Sequence, residues 1–438
     1  GGSSSQLLIE DAHRMTHDGY TSGQAPAQQV EAIEGNIYAL CYSFNQENSS
    51  FVCGTTAGFR VYTTTPLCEV KRRESSDKTK ANALPSQVGL VRMLFRTQIF
   101  PMAMVDTVTG DGPLKIKIWD EGKRQFIAEL RSKHEVKGVA IQREVIAMVC
   151  EHAVYIYRAD NLKILLHLTT ARNERGLCAL ASAAKPWVLA CPGQTIGSVC
   201  VRVGEDESAS CVIEEAHKTG LAALALNSSG TLIASASDYG TIVKVFARNG
   251  DLLHALRRGI RPATISCLSF REDNRFLAVG CSSGTVHIFR IDVEQCPTER
   301  RECEQEDEDY GSSNMGVGEM VLGALAGLAS EPKSFARFRI PDEDSADIRS
   351  PNSTILGPQV CFRGAEPTLL VLHHNGVFYE AGFSDVVEAG SSAQECSCKD
   401  ATTWFAVRPD FKMLTPSIAV PTVKGGTEED EGEDWQLL

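Results

Sequence analysis

The feature that most restricts what this chain can fold into is an internal repeat. The stretch "LAALALNSSGTLIASASDYGTIVKVF", from Leu221, aligns almost without adjustment on "ISCLSFREDNRFLAVGCSSGTVHIF", from Ile265. Leu224 matches Leu268, Leu226 matches Phe270, and Gly240–Thr241 matches Gly284–Thr285, each at an offset of 44 residues. A looser copy, "IYALCYSFNQENSSFVCGTTAGFRVY", begins at Ile37. Each copy reads as an alternating run, a polar turn, an apolar run, a glycine-bearing turn and a run ending in an aromatic. That pattern predicts three short antiparallel strands, with a fourth behind them ("GDLLHAL", "SFARFRI"). A period of about 40–45 residues with four strands per unit marks a WD40-like β-propeller. Four more strand groups bring the expected total to seven blades between about residues 31 and 388. A flexible segment at 1–30 and a C-terminal extension at 389–438 are expected to flank this all-β domain. The Gly-His and Trp-Asp signatures of ordinary WD40 repeats are missing apart from Trp119–Asp120.

Composition narrows the function. With 43 Lys and Arg against 56 Asp and Glu, the net charge of −13 argues against nucleic acid or anionic surfaces as general partners. Any anion site must therefore be local and shaped. The opening "GGSSSQLLIEDAHRMTHDGY" has no basic and apolar signal pattern. No run reaches the roughly 18 apolar residues of a membrane span. The 15 cysteines are scattered singly in apolar runs, as expected of reduced core residues in a cytosolic protein. The pair Cys396 and Cys398 lacks a second ligand pair, so no metal site is expected. No nucleophile elbow, phosphate-binding loop or paired carboxylates suggest an enzyme, and no cofactor is expected.

The anomaly is "ALRRGI", in which Arg257 and Arg258 stand side by side at the end of a strand-like run. Neighbours on a strand point to opposite sides, so the two guanidiniums should reach different sites, one toward each flanking blade. Both blades supply hydroxyls at equivalent places: Ser235, Ser237 and Thr241 in one, Ser282, Ser283 and Thr285 in the next. A histidine accompanies each group, His217 and His287. Arginine forks with hydroxyl donors suit a phosphate. Gly259 lets a bulky headgroup approach the backbone.

These stretches, with "SFNQENSSFVCGTTAGFRVY", "VGLVRMLFRT", "KIKIWD" and "KSFARFRIP", make the chain resemble the PROPPIN/WIPI family of phosphoinositide-binding, seven-bladed autophagy propellers. The LRRG form of the motif is similar to the branch with the smaller WIPI members. The resemblance implies two pockets for phosphatidylinositol 3-phosphate or the 3,5-bisphosphate on the propeller rim. By position the first uses His217, Ser235, Ser237, Gly240, Thr241, Lys244 and Arg257. The second uses Arg258, Gly259, Cys281, Ser282, Thr285 and His287. Lys244 stands where the family usually has arginine, which keeps the charge and loses the fork. Gly280–Cys281 replaces a usual Ser-Ser and removes a hydroxyl donor.

About forty residues, 293–333, intervene between the third and fourth strands of the sixth unit. An acidic part precedes an apolar run in which Met315, Val317, Met320, Val321, Leu322, Leu325 and Leu328 are the candidate membrane-inserting residues. The glycines there each cost about 1 kcal/mol of helix stability, so this segment is expected to order only against lipid. At the C-terminus, Trp435 and Leu438 follow an acidic run in a W-x-x-L spacing that resembles the motif bound by the ubiquitin-like autophagy modifier. The expected protein is a monomeric, non-enzymatic effector, cytoplasmic and peripheral on phagophore, autophagosome or endosomal-vacuolar membranes. The family implies an autophagy lipid-transfer protein or the conjugation machinery as partner. The competing expectation is a protein-only scaffold whose lipid pockets have weakened.

Overall fold

The computed structural model describes residues 36–74, 87–105, 112–291, 333–341, 347–349, 353–386 and 393–405. Within them lie seven sheets, antiparallel apart from one short parallel pairing. The blades span residues 39–74, 88–131, 136–169, 179–213, 221–257, 265–339 and 359–403, in chain order. In the first six blades the first four strands pair in chain order, and blade seven does the same once the short strand Gln394–Glu395 is passed over. The first strand of each sheet lies against the first strand of the next, and the seventh against the first, which closes the ring. The seven-bladed, all-β expectation is met.

Burial follows from that stacking. The second strand of a blade is covered on both faces by neighbouring blades, so it reads as an unbroken apolar run. Val145–Cys150 ("VIAMVC") and Phe276–Cys281 ("FLAVGC") are buried at every position. The fourth strands form the rim and alternate or face solvent, as in Leu67–Glu74 and Ile164–Thr169. Each of the intervening cores is shared by two blades. One joins Ala234, Ala236, Val243 and Leu256 of blade five to Leu277, Val279 and Phe289 of blade six.

The C-terminal boundary differs from expectation. The propeller does not stop at residue 388, because the fourth strand of blade seven is Ser397–Thr403, paired along Val377–Gly382. Gln394–Glu395 adds a parallel fifth strand to blade six beside Ala336–Arg339. One segment therefore straps the last two blades together. It hid in the sequence because its residues from Ser397 to Ala401 all face solvent and carry no apolar rhythm. Trp404, only 1% exposed, then turns into the seam between blades seven and one. Its ring packs edge-on against Phe51, Tyr62 and Tyr42 at centroid distances of 5.2, 5.5 and 5.7 Å. A parallel bridge between Ala39 and Arg349 reinforces the same seam.

Truncating Trp404 leaves the seam with a large cavity where the ring must close. Trp404→Ala is expected to lower unfolding free energy by about 3–5 kcal/mol, measured by urea denaturation followed by circular dichroism.

Candidate functional site

The pleat of blade five decides where its polar side chains go. On the second strand, Leu232–Ser237, the even-numbered Leu232, Ala234 and Ala236 pack toward blade six. Ile233 packs toward blade four, and Ser235 and Ser237 share its parity. Ser235 pairs in register with Lys244 of the third strand, and Ile242 pairs with Arg257 of the fourth. Residues paired across strands share a face, so Ser235, Lys244 and Arg257 all belong to the blade-four side. Leu256, one residue earlier, is in the core against blade six. Arg258 follows the same alternation to that side.

The first group is assembled from three connections. His217 lies in the segment joining blades four and five, and its backbone N–H donates to Gly197 O at 3.0 Å. Its Nε2 hydrogen-bonds Ser235 Oγ at 2.9 Å, with His217 8% exposed and Ser235 fully buried. Burial, helped by the Lys244 ammonium, pushes the imidazole down to about 4, so it is neutral near pH 7. Lys244 is itself lowered from its ordinary value by burial and by Lys218. Three cationic or potentially cationic groups thus crowd one spot. Asp238, the acid that follows Ser237, ion-pairs with Arg175 at 3.2 Å. Gly240 closes the turn with φ +59°, and a Cβ there would fall 1.9 Å from Ala263 O. Only glycine fits. Ser237 and Thr241 stand half-buried on either side of the turn.

The second group faces blade six. Arg258 Nε donates to Gly240 O at 2.7 Å, and an Nη donates to Arg261 O. Gly240, assigned by sequence to the first group, therefore also anchors the arginine of the second. Cys281 is fully buried, and burial pushes its thiol up to about 11 although Arg258 pulls the other way. The side chain packs in the core between blades five and six and is shielded from solvent. Ser282 is exposed in the following turn, and Thr285 is half-buried. His287, 7% exposed, is pushed down to about 4 by burial, with Arg337 and Arg258 adding to the effect. A Cβ at Gly259 would meet no protein atom within 4 Å. No neighbouring side chain requires glycine there.

Two arginines escaped the sequence reading. Arg337 pairs in register with His287, and Arg339 pairs with Thr285, so both join the second group. Their spacing in "ARFR", with Ala336 and Phe338 buried, was the available signal. Lys218, which bears on Lys244, was also missed. Met315, Val317, Met320, Val321, Leu322, Leu325, Leu328, Trp435 and Leu438 lie outside the described residues. Among the described residues no cluster of metal-ligating side chains occurs, and no helix is long and apolar enough to cross a membrane.

The buried histidines give the protein an acid limit. The unfolded chain binds their protons near the ordinary value of about 6.5, whereas His217 and His287 accept them only at about 4. Between those values the unfolded state holds more protons, so acidification through that window favours unfolding. Stability in urea is expected to be full above pH 6.5 and to fall as pH drops toward 4. His217→Gln should remove up to about 3 kcal/mol of that loss.

Autophagy-related protein 18 of Komagataella pastoris is 30% identical over 309 residues, covering 61% of this chain and 55% of that protein. The protein of the same name in Dictyostelium discoideum is 28% identical over 356 residues, covering 80% and 90%. The crystal structure of Kluyvelomyces marxianus Hsv2 superposes with a TM-score of 0.62 at 18% identity, over 85% of this chain and all of that one. A complex of KlAtg21 with the coiled-coil of AgAtg16 gives a TM-score of 0.62 at 20% identity, over 84% of this chain. These two structures share the fold. The PROPPIN profile matches residues 39–340, and the chain belongs to the PROPPIN family.

Proposed function

We propose that this propeller is a phosphoinositide effector that binds phosphatidylinositol 3-phosphate, or the 3,5-bisphosphate, at two places on one edge. The observation that carries the reading is the division of Arg257 and Arg258 between opposite faces of blade five, each face holding its own buried histidine. Arginine offers a fork matched to phosphate oxygens. A neutral His217 and the Ser235 hydroxyl supply hydrogen bonds with no added charge. The open space around Gly259 supports approach of a headgroup to the backbone.

Two weak pockets on one rigid edge hold a membrane firmly, because the second contact forms at high effective concentration. The bulk charge of −13 then discourages docking on anionic membranes that lack the specific headgroup. The segment 293–333 would add an inserting contact, and the terminal Trp435 and Leu438 would engage the ubiquitin-like modifier of autophagy. The working site is the phagophore, autophagosome or endosomal-vacuolar surface. Membrane docking on the edge frees the remaining blades for autophagy machinery, either a lipid-transfer protein or the conjugation apparatus. The complex of the fold neighbour KlAtg21 with the coiled-coil of AgAtg16 supports autophagy machinery as a partner.

A protein-only scaffold has one observation in its favour. Arg258 already spends donors on the carbonyls of Gly240 and Arg261, and the buried Cys281 offers no hydroxyl. Flotation separates the readings. Wild type should float with vesicles containing the monophosphate lipid, and Arg257→Thr with Arg258→Thr should weaken this on the order of a hundredfold. Unchanged flotation of that variant defeats the lipid reading.

For the tail, Trp435→Ala with Leu438→Ala should abolish pull-down of the ubiquitin-like modifier while flotation stays at the wild-type level. Retained capture refutes the motif.

A further inference from the structure

Two large apolar side chains stand on the same rim as the arginine pair. Tyr239, 59% exposed, occupies the turn between the second and third strands of blade five. Ile260, 81% exposed, lies in the loop from blade five to blade six. Single exposed apolar residues are ordinary on any protein, so exposure alone says little. Their fastening says more. Arg258 donates to Gly240 O, next to Tyr239, and to Arg261 O, next to Ile260. The N–H of Ala263 also donates to Tyr239 O at 3.1 Å, tying the loop back onto the turn. One guanidinium thus holds both projections in place, and Gly240 at φ +59° fixes the turn that carries the tyrosine.

The surroundings choose the partner. Arg257, Arg258 and Arg261 lie within four residues of Ile260 along the chain. A surface with apolar tips set near three arginines, the acid beside Tyr239 (Asp238) being paired to Arg175, matches the interfacial layer of an anionic bilayer, where the tips meet acyl-chain ends and the cations meet phosphates. Tyrosine is well suited to that layer, having an apolar ring and a hydroxyl that stays wet. We propose that Tyr239 and Ile260 enter the bilayer interface on either side of the arginine pair, as a rigid membrane contact separate from the segment 293–333. The proposal rests on the phosphoinositide reading and adds to it the depth at which the edge sits.

The test uses the full chain with phosphatidylcholine vesicles carrying phosphatidylinositol 3-phosphate, and soluble inositol 1,3-bisphosphate as a headgroup probe. Tyr239→Ser with Ile260→Ser should weaken vesicle partitioning by about tenfold or more, since two apolar groups stay in water. Its calorimetric affinity for the soluble headgroup should match wild type, whereas Arg257→Thr with Arg258→Thr should lose both. Ile260→Trp should give a blue-shifted difference spectrum against wild type on vesicle binding, quenched by lipids brominated near the glycerol end. Ile164→Trp, on the exposed fourth strand of blade three, should give neither signal. Wild-type partitioning of the serine variant overturns the proposal while the lipid reading stands. So does an introduced indole that stays unquenched when the Ile260→Trp variant is bound. A parallel loss of headgroup affinity in the serine variant also overturns it, by placing these residues in the pocket. Absence of wild-type binding to these vesicles overturns both.

Discussion

Every blade is covered on both faces by its neighbours, and this double burial makes strand pleat the rule that governs the molecule. A side chain on a second or third strand goes into one inter-blade core or the next, with no third choice. Leu256 enters the core toward blade six, Arg257 belongs to the blade-four side, and Arg258 returns to the blade-six side. A one-residue slip in the fourth strand would exchange the two arginines and put Leu256 among the polar groups. The register is held because Val243 and Leu256 are both fully buried opposite each other. Hydrophobic packing thus orients the charges.

The same rule explains what could be read without a structure. The repeat from Leu221 and Ile265 is legible because double burial forces long apolar second strands, and turns force glycine at Gly240 and Gly284, both at positive φ. The separation of Arg257 and Arg258 follows from pleat alone. Cross-strand neighbours were not legible, since Arg337 meets His287 across some fifty residues of sequence and a long insertion. Neither was the solvent-facing strap at Ser397–Thr403, which pairs through backbone hydrogen bonds that leave no mark on side-chain pattern. Trp404 was the visible clue, a large aromatic after a polar stretch, and it marks the seam that completes the ring.

Electrostatics show how an acidic protein keeps a cationic edge. Charges beyond a Debye length of about 8 Å are largely screened by salt, so only the nearby acids among those that make up the −13 oppose the cations of the site. Inside the site, burial holds His217 and His287 neutral and leaves the guanidiniums and the Lys244 ammonium as the positive charges. The histidines then shape the groups through geometry. His217 positions Ser235 at 2.9 Å, and His287 carries a buried Nδ1 with no hydrogen-bond partner among the described residues.

The two groups are built from different materials, and packing accounts for it. The dipeptide Gly280–Cys281 straddles the sheet of blade six, so its members face different neighbours. Cys281 packs in the core with blade five. Gly280 faces blade seven, where a Cβ would lie 2.9 Å from Pro358 O, and Ser266 Oγ already donates to the carbonyls of Gly280 and Pro358 at 3.2 and 2.8 Å. A serine at 280 would press on the backbone oxygen of Pro358 on the blade-seven side, the face opposite the second group. The thiol at 281 is a separate change, in a dry setting that feels the Arg258 charge. What remains there is cationic: Arg258 held by two carbonyls, with Arg337 and Arg339 aligned beside His287 and Thr285. The first group combines Arg257 and Lys244 with the Ser235 hydroxyl and a neutral imidazole. Under the proposed function, the first group would add the hydrogen bonds of a hydroxyl and a neutral imidazole to its charge, while the second would hold a phosphate chiefly through its arginines.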